Sequence, residues 1–133
     1  MKSLFVNLIF VAMLTVSGCA QSQNSSGGSR QDVNAMQAKE LISEDKEMVI
    51  LDVRTPEEFS EGHVTGATNL DFYAPDFEQQ LERLGTTNTY LLYCASGNRS
   101  GKAASLMQNK GFKKIINSQA GYKELKQAAV HTK

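Results

Sequence analysis

An apolar run, Tyr90-Leu91-Leu92-Tyr93, stops at Cys94; Ala95-Ser96-Gly97-Asn98 follows, and Arg99 opens a helical pattern. A thiol acts as a nucleophile through its thiolate. A cysteine just past a strand and just before a helix faces N–H groups that have no partner within the helix, at the positive end of the helix dipole. Both features favour the anion. Arg99 adds a charge that does not titrate in the working range. Gly97 permits a positive φ, Asn98 tolerates the left-handed region, and Ala95 and Ser96 keep the loop small. Such a loop can turn several N–H groups toward one sulfur, forming a nest for an anion. Ser100 is expected to cap or pack rather than react. A strand-end cysteine taken alone is equally compatible with an inert, buried thiol.

The elements that must position this loop can be read from the pattern around it. Ala35, Ala38, Leu41 and Ile42 follow helical spacing. Met48–Val53 is a short apolar, partly β-branched run and reads as a buried strand. Thr55-Pro56-Glu57-Glu58-Phe59 reads as a helix start, with Thr55 capping and Pro56 in the first position, and Gly62 ends it. Gly66–Leu70 reads as a short strand, and Phe77, Leu81 and Leu84 mark a helix. Thr89–Tyr93 is the strand before Cys94. Ala103, Leu106 and Met107 share one face of the helix after it, which Gly111 stops. Lys114–Asn117 is a further strand, and Tyr122, Leu125 and Ala129 mark a last helix. Strands alternating with helices imply parallel pairing through crossovers, hence a small three-layer α/β domain with a central, mostly parallel sheet and helices on both faces. Ligands in such sheets bind beyond the carboxyl ends of the strands, where Cys94 lies.

The 133 residues need not all belong to this domain. Met1-Lys2-Ser3 is a charged start, Leu4–Val16 is almost continuously apolar, and Val16-Ser17-Gly18-Cys19 follows. This is the pattern of a secretory signal peptide, short of the ~20 residues a membrane-spanning helix needs. Val-Ser-Gly-Cys resembles the lipobox of bacterial lipoproteins, which implies cleavage after residue 18, lipid on Cys19 and a membrane-anchored protein of the cell envelope. Ala20 at the following position suggests the outer membrane if the cell is Gram-negative. Residues 19–31 are polar and rich in Ser, Gly and Gln, the composition of a flexible tether with a reach of roughly 20 Å. Residues 32–133 form the expected domain. Without Lys2 the chain carries 13 basic and 14 acidic residues, with no basic stripe, which argues against nucleic-acid binding. Cys19 and Cys94 are the only cysteines, so with Cys19 lipidated no internal disulfide is available to Cys94.

Asp52–Leu70, DVRTPEEFSEGHVTGATNL, together with Tyr93–Phe112, YCASGNRSGKAASLMQNKGF, resembles a rhodanese-like sulfurtransferase domain. The first stretch is similar to the family's Asp-Val-Arg…Glu-Phe…Gly-His-Ile-x-Gly-Ala-x-Asn signature, the second to its Cys-x-x-Gly-x-Arg-Ser loop. The resemblance covers residues 32–133 and thins near the end. Ala120-Gly121-Tyr122 stands where the family often has Gly-Gly and then Trp, and Leu125 falls near the Trp position. That change is expected to alter packing more than chemistry.

The resemblance implies a sulfurtransferase in which Cys94 takes sulfane sulfur from a small donor as a persulfide and passes it to a thiol or to cyanide, without metal or organic cofactor. Ala95, Ser96, Gly97, Asn98 and Arg99 would bind the transferred sulfur and its donor. Phosphatases on this fold have one more residue between cysteine and arginine, so the shorter loop suits a single sulfur better than a tetrahedral oxyanion. Asp52 is expected to accept hydrogen bonds from this loop, and Arg54 to pair with a carboxylate such as Glu58. His63 is expected to be structural, with general base as its alternative. The domain is expected to act as a monomer. The rival readings are a non-catalytic binding module and a reductase dependent on an external resolving thiol.

Overall fold

The computed structural model describes residues 28–133, so the expected signal peptide, Cys19 and most of the expected tether lie outside the described residues. Ten elements alternate: β1 (Ser29–Val33), α1 (Ala35–Glu44), β2 (Val49–Asp52), α2 (Pro56–Ser60), β3 (Thr68–Asn69), α3 (Phe77–Glu82), β4 (Thr89–Tyr93), α4 (Asn98–Asn109), β5 (Lys114–Ser118) and α5 (Tyr122–Gln127). The strands pair in parallel in the order β1-β5-β4-β2-β3. β4 is therefore central. From its carboxyl end the chain passes through α4 to β5 on one side, while β2 lies on the other. Cys94 directly follows β4, at the point where strand order reverses.

The two-residue period of the strands sorts their side chains into two layers. Leu51, Tyr90, Leu92 and Ile115 pack with Phe77 and Leu81 of α3 and with Ala103, Ala104 and Met107 of α4. Ile50, Leu91, Tyr93 and Ile116 pack with Ala38 of α1 and Leu125 of α5. Both faces are buried, which is why these strands read as continuous apolar runs instead of alternating ones. Helix starts are local. Asn34 and Gln37 form a capping box at α1, and Thr55 and Glu58 form one at α2 with Pro56 in its first turn.

Two boundaries differ from the expectation. Ser29, Arg30 and Gln31 belong to β1 and not to a tether: Ser29 N–H donates to the Lys113 carbonyl at 2.9 Å, and the strand pairs in register with β5. A ladder is made by backbone, so a polar segment can supply an edge strand when only one side chain, Val33, is buried. At the other end, α5 stops at Gln127, and Ala129 sits at φ 61° outside the helix. No helix among the described residues is long and apolar enough to cross a membrane.

Candidate active site

The turn after β4 is set by Gly97, whose φ of 86° lies in the region that L side chains avoid. That turn caps α4 and brings the Gly97 N–H to 3.1 Å from the Cys94 sulfur. Cys94 has no exposed surface. Burial pushes its thiol pKa up, but the Ser100 N–H and hydroxyl and the N–H groups of Ser96 and Gly97 outweigh it and leave the thiol below its ordinary value. The nest expected from the spacing is thus present, with one member that spacing did not assign. Ser100 is fully buried; its hydroxyl donates to the Gly97 carbonyl at 3.2 Å and faces the sulfur.

The loop is braced from behind by the turn after β5. Tyr122 N–H donates to the Cys94 carbonyl at 2.9 Å. A Cβ on Gly121 would lie 1.8 Å from the Ala95 carbonyl oxygen, so glycine is required there by close approach of two backbones. Gly121 escaped the sequence reading because its φ is ordinary and its contact is with a segment some 26 residues earlier. The one available signal was its place in the motif that departs from Gly-Gly-Trp.

The charge pairing around the loop corrects two expectations. Arg99 donates both terminal nitrogens to Glu58, at 2.7 and 2.9 Å, so Glu58 pairs with Arg99 and not with Arg54. Glu58 is held for this by the capping box, since Thr55 N–H donates to the same carboxylate at 3.0 Å. The Arg99 hydrogen bonds pull the Glu58 pKa down from 4.5 to about 2, against burial, which raises it, and with help from the Thr55 N–H. The sign follows from linkage. A depressed carboxyl stabilises the fold above its unfolded value near 4.5, and that contribution is lost as pH falls toward 2. The urea midpoint of wild type should therefore exceed that of Glu58→Gln by a constant margin above about pH 5. The margin should close between pH 4.5 and 2; a gap independent of pH would contradict the pairing.

Asp52 and Arg54 pair with each other. Asp52 Oδ2 accepts Arg54 Nη2 at 2.6 Å and the Tyr93 hydroxyl at 2.5 Å, and Oδ1 accepts Arg54 Nε at 2.9 Å. Asp52 therefore does not receive the active loop. The pleat explains it: Asp52 follows Ile50 onto the α1/α5 face with Tyr93, while Cys94 packs on the α3/α4 face. Arg54 also donates to the Gly62 carbonyl at 2.7 Å and lies 4.3 Å from the Tyr122 ring. Asn69, unassigned in the sequence, donates to the backbone carbonyls of Asp52 and Arg54 and pins the segment between them. His63 stacks on Phe59 at 3.6 Å with Nδ1 2.9 Å from the Phe59 carbonyl, and its backbone pairs with Lys133. These contacts match a structural role.

Two openings flank the loop. One, of about 480 Å³, is lined by Arg54, Glu58, Glu61, Ala95, Tyr122, Lys123 and Lys126. The other, of about 500 Å³, includes Ser96, Asn98, Arg99, Lys102 and Tyr73. Tyr73 is 67% exposed, and the Arg99 guanidinium lies 5.4 Å from its ring. Glu58 borders both, so the Glu58–Arg99 pair stands between them.

The family model for the rhodanese-like domain matches residues 34–128. Thiosulfate sulfurtransferase 16, chloroplastic, of Arabidopsis thaliana is 39% identical over 82 residues, covering 54% of this chain and 68% of that protein. Thiosulfate sulfurtransferase GlpE of Pseudomonas entomophila is 33% identical over 75 residues, covering 56% and 66%. YrkF of Bacillus subtilis is 31% identical over 103 residues, 77% of this chain and 54% of YrkF. The chain thus spans between 54% and 68% of the length of these relatives. Among solved structures, the rhodanese-like domain of Anabaena Alr3790 superposes with a TM-score of 0.69 at 21% identity over 77% of each chain, a likeness of fold. A rhodanese with anions from E. coli superposes with a TM-score of 0.54 at 26% identity, covering 65% of this chain and 96% of that one. With the family model spanning most of the chain and the motif residues gathered at one sheet edge, the protein belongs to the rhodanese-like domain family.

Proposed function

We propose that this protein is a sulfurtransferase that moves sulfane sulfur from a small donor, such as thiosulfate or a persulfide, to a thiol or cyanide through a persulfide on Cys94. The observation that carries this reading is the ring of N–H donors on a buried sulfur, with Gly97 N–H at 3.1 Å and the thiol pKa lowered. In the first half-reaction the Cys94 thiolate attacks the outer sulfur of the donor. A new S–S bond forms, and the donor's S–S bond breaks with its electron pair on the leaving group, sulfite in the case of thiosulfate. In the second, the acceptor attacks the outer sulfur of the persulfide and Cys94 leaves as thiolate. The cycle is covalent and two-step. The loop donors stabilise the negative charge on the outer sulfur between the steps. Two relatives named as thiosulfate sulfurtransferases support the reading. A binding module has no use for a lowered thiol pKa, and a reductase needs a second thiol, whereas Cys94 is the only cysteine among the described residues.

The test is formation of thiocyanate from thiosulfate and cyanide, with the mass of one sulfur gained on the Cys94 peptide after donor alone. A chain that gains no sulfur and makes no thiocyanate would refute the proposal. Gly121→Ala should lower kcat/KM about 100-fold, because its methyl group must push the Ala95 backbone away and the nest with it. An unchanged rate would show that the loop tolerates the shift.

We also propose that the protein is exported and held at a membrane of the cell envelope by lipid on Cys19. Cys19→Ala should move it from the membrane to the soluble fraction; a wild type already soluble after cell breakage would reject the anchor.

A further inference from the structure

The thiol nest depends on where α4 begins, and α4 begins without a side-chain cap. Its N-cap is Gly97, which has no side chain to hold the free N–H groups of the first turn. A helix end of this kind frays unless another contact fixes it. Here that contact comes from β1, whose residues Ser29–Val33 precede the stretch 34–128 matched by the family model. Arg30 and Asp32 stand two apart and share one face of the strand. Their partners in register on β5 are Ile115 and Asn117, and Ile115 packs in the layer that holds α4 and Cys94. Arg30 Nη1 donates to the Gly101 carbonyl at 3.2 Å and to the Ser105 hydroxyl at 2.7 Å. Its Nε donates to Asp32 at 3.0 Å, and Asp32 accepts the Asn117 amide at 3.0 Å. Asn117 is 3% exposed, so the far end of this network is fixed in the core.

Gly101 connects the network to the nest. Its N–H donates to the Gly97 carbonyl at 3.1 Å, and the Gly97 N–H lies 3.1 Å from the Cys94 sulfur. Ser100, whose N–H and hydroxyl face the sulfur, directly precedes it. We propose that Arg30 is a positioning residue of this site: by holding Gly101 and Ser105 it sets the first turn of α4, and with it the Gly97 and Ser100 donors, against the sulfur. Its hydrogen bonds end on Asp32, Gly101 and Ser105, so it acts through α4 and not on the reacting atoms. The charged side chain coupled to the sulfur is Arg99, itself paired with Glu58, whereas the Arg30 charge is offset by Asp32. The strand that leads in from the expected tether thus takes part in shaping the nest. The effect on turnover rests on the sulfurtransferase reading; the effect on the thiol does not.

The test follows the ionisation of Cys94 in the full chain through the pH dependence of its alkylation by iodoacetamide. Arg30→Ala should move the midpoint up by about 0.5 pH unit, because donors displaced from the sulfur favour the thiolate less. In the same variant kcat/KM for thiocyanate formation from thiosulfate should fall about 5-fold. Arg30→Lys, which keeps a donor for the Gly101 carbonyl but not the fork, should shift the midpoint about half as far. Ser105→Ala, at an exposed position, removes one of the two Arg30 contacts to α4 and should shift it in the same direction. Val33→Ala is the control for a loosened strand, since it removes buried packing in the opposite layer, beside α1. It should lower the thermal midpoint at least as much as Arg30→Ala and leave the thiol titration at its wild-type position. Wild-type titration of both Arg30→Ala and Ser105→Ala, or an equal shift in Val33→Ala, would overturn the positioning role. If Arg30→Ala does not fold, the Arg30→Lys and Ser105→Ala titrations decide in its place. If wild type makes no thiocyanate, the sulfurtransferase reading falls, while the alkylation series still decides what Arg30 does.

Discussion

Cys94→Ser is expected to form thiocyanate no faster than the uncatalysed background, a loss on the order of 1,000-fold or more, while keeping the wild-type fold. Both halves of that expectation come from the site. The loop donors lower the thiol pKa and so favour the thiolate, but a serine hydroxyl in the same nest stays protonated. Oxygen also forms no stable equivalent of the persulfide. Folding should survive, because the smaller hydroxyl can accept the Gly97 N–H in place of sulfur. Alkylation of wild type by iodoacetamide should level off at a lower pH than for a free cysteine, as the lowered thiol pKa requires. Thiocyanate formation by the serine variant at the wild-type rate would remove Cys94 from the mechanism. A normal thiol titration would remove the nest.

The second large effect concerns stability. Asp52→Ala should cost about 3–5 kcal/mol, because it leaves the Arg54 guanidinium buried without its counter-charge. Asp52 is fully buried and Arg54 is 4% exposed, so water cannot take over the role of the carboxylate. The Tyr93 hydroxyl, which donates to Asp52, loses its acceptor at the same time; burial and Asp52 both push its pKa up. For a domain of this size the loss amounts to about 15 °C or more in Tm. The contrasting control is Asp32, whose pair with Arg30 is partly exposed and which also accepts the Asn117 amide at 3.0 Å; Asp32→Ala should cost about 1–2 kcal/mol, well below the loss at Asp52. Equal and small losses at both positions would mean that the buried cluster is hydrated. The test matters for function, since it separates residues that hold the sheet edge together from those that hold the sulfur.

Much of the site was legible because its instructions are local. Thr55, Pro56 and Glu58 start α2 through contacts within four residues. Gly97, the positive φ and the helix that follows Cys94 lie within one turn of chain. The apolar runs at Val49–Asp52 and Thr89–Tyr93 carried enough consecutive apolar residues to mark strands buried on both faces, while Lys114–Ser118 carried only the β-branched pair Ile115-Ile116. The polar segment Ser29–Gln31 carried no such mark, since its pairing with β5 is a matter of backbone and an open sheet edge.

The sequence by itself determined that a cysteine loop of this spacing sits between a strand and a helix in a parallel α/β domain, because turn geometry, capping and apolar periodicity act over a few residues. Only the tertiary structure decided which charges meet. Glu58 and Arg99 are 41 residues apart and meet only in the fold, while Arg54 is taken by the buried Asp52 two residues before it. The same holds for Gly121, where two backbones approach closely only after β5 has been laid beside β4. Residue types can specify a nest for a sulfur anion, but the pleat and strand order choose the neighbours that brace it.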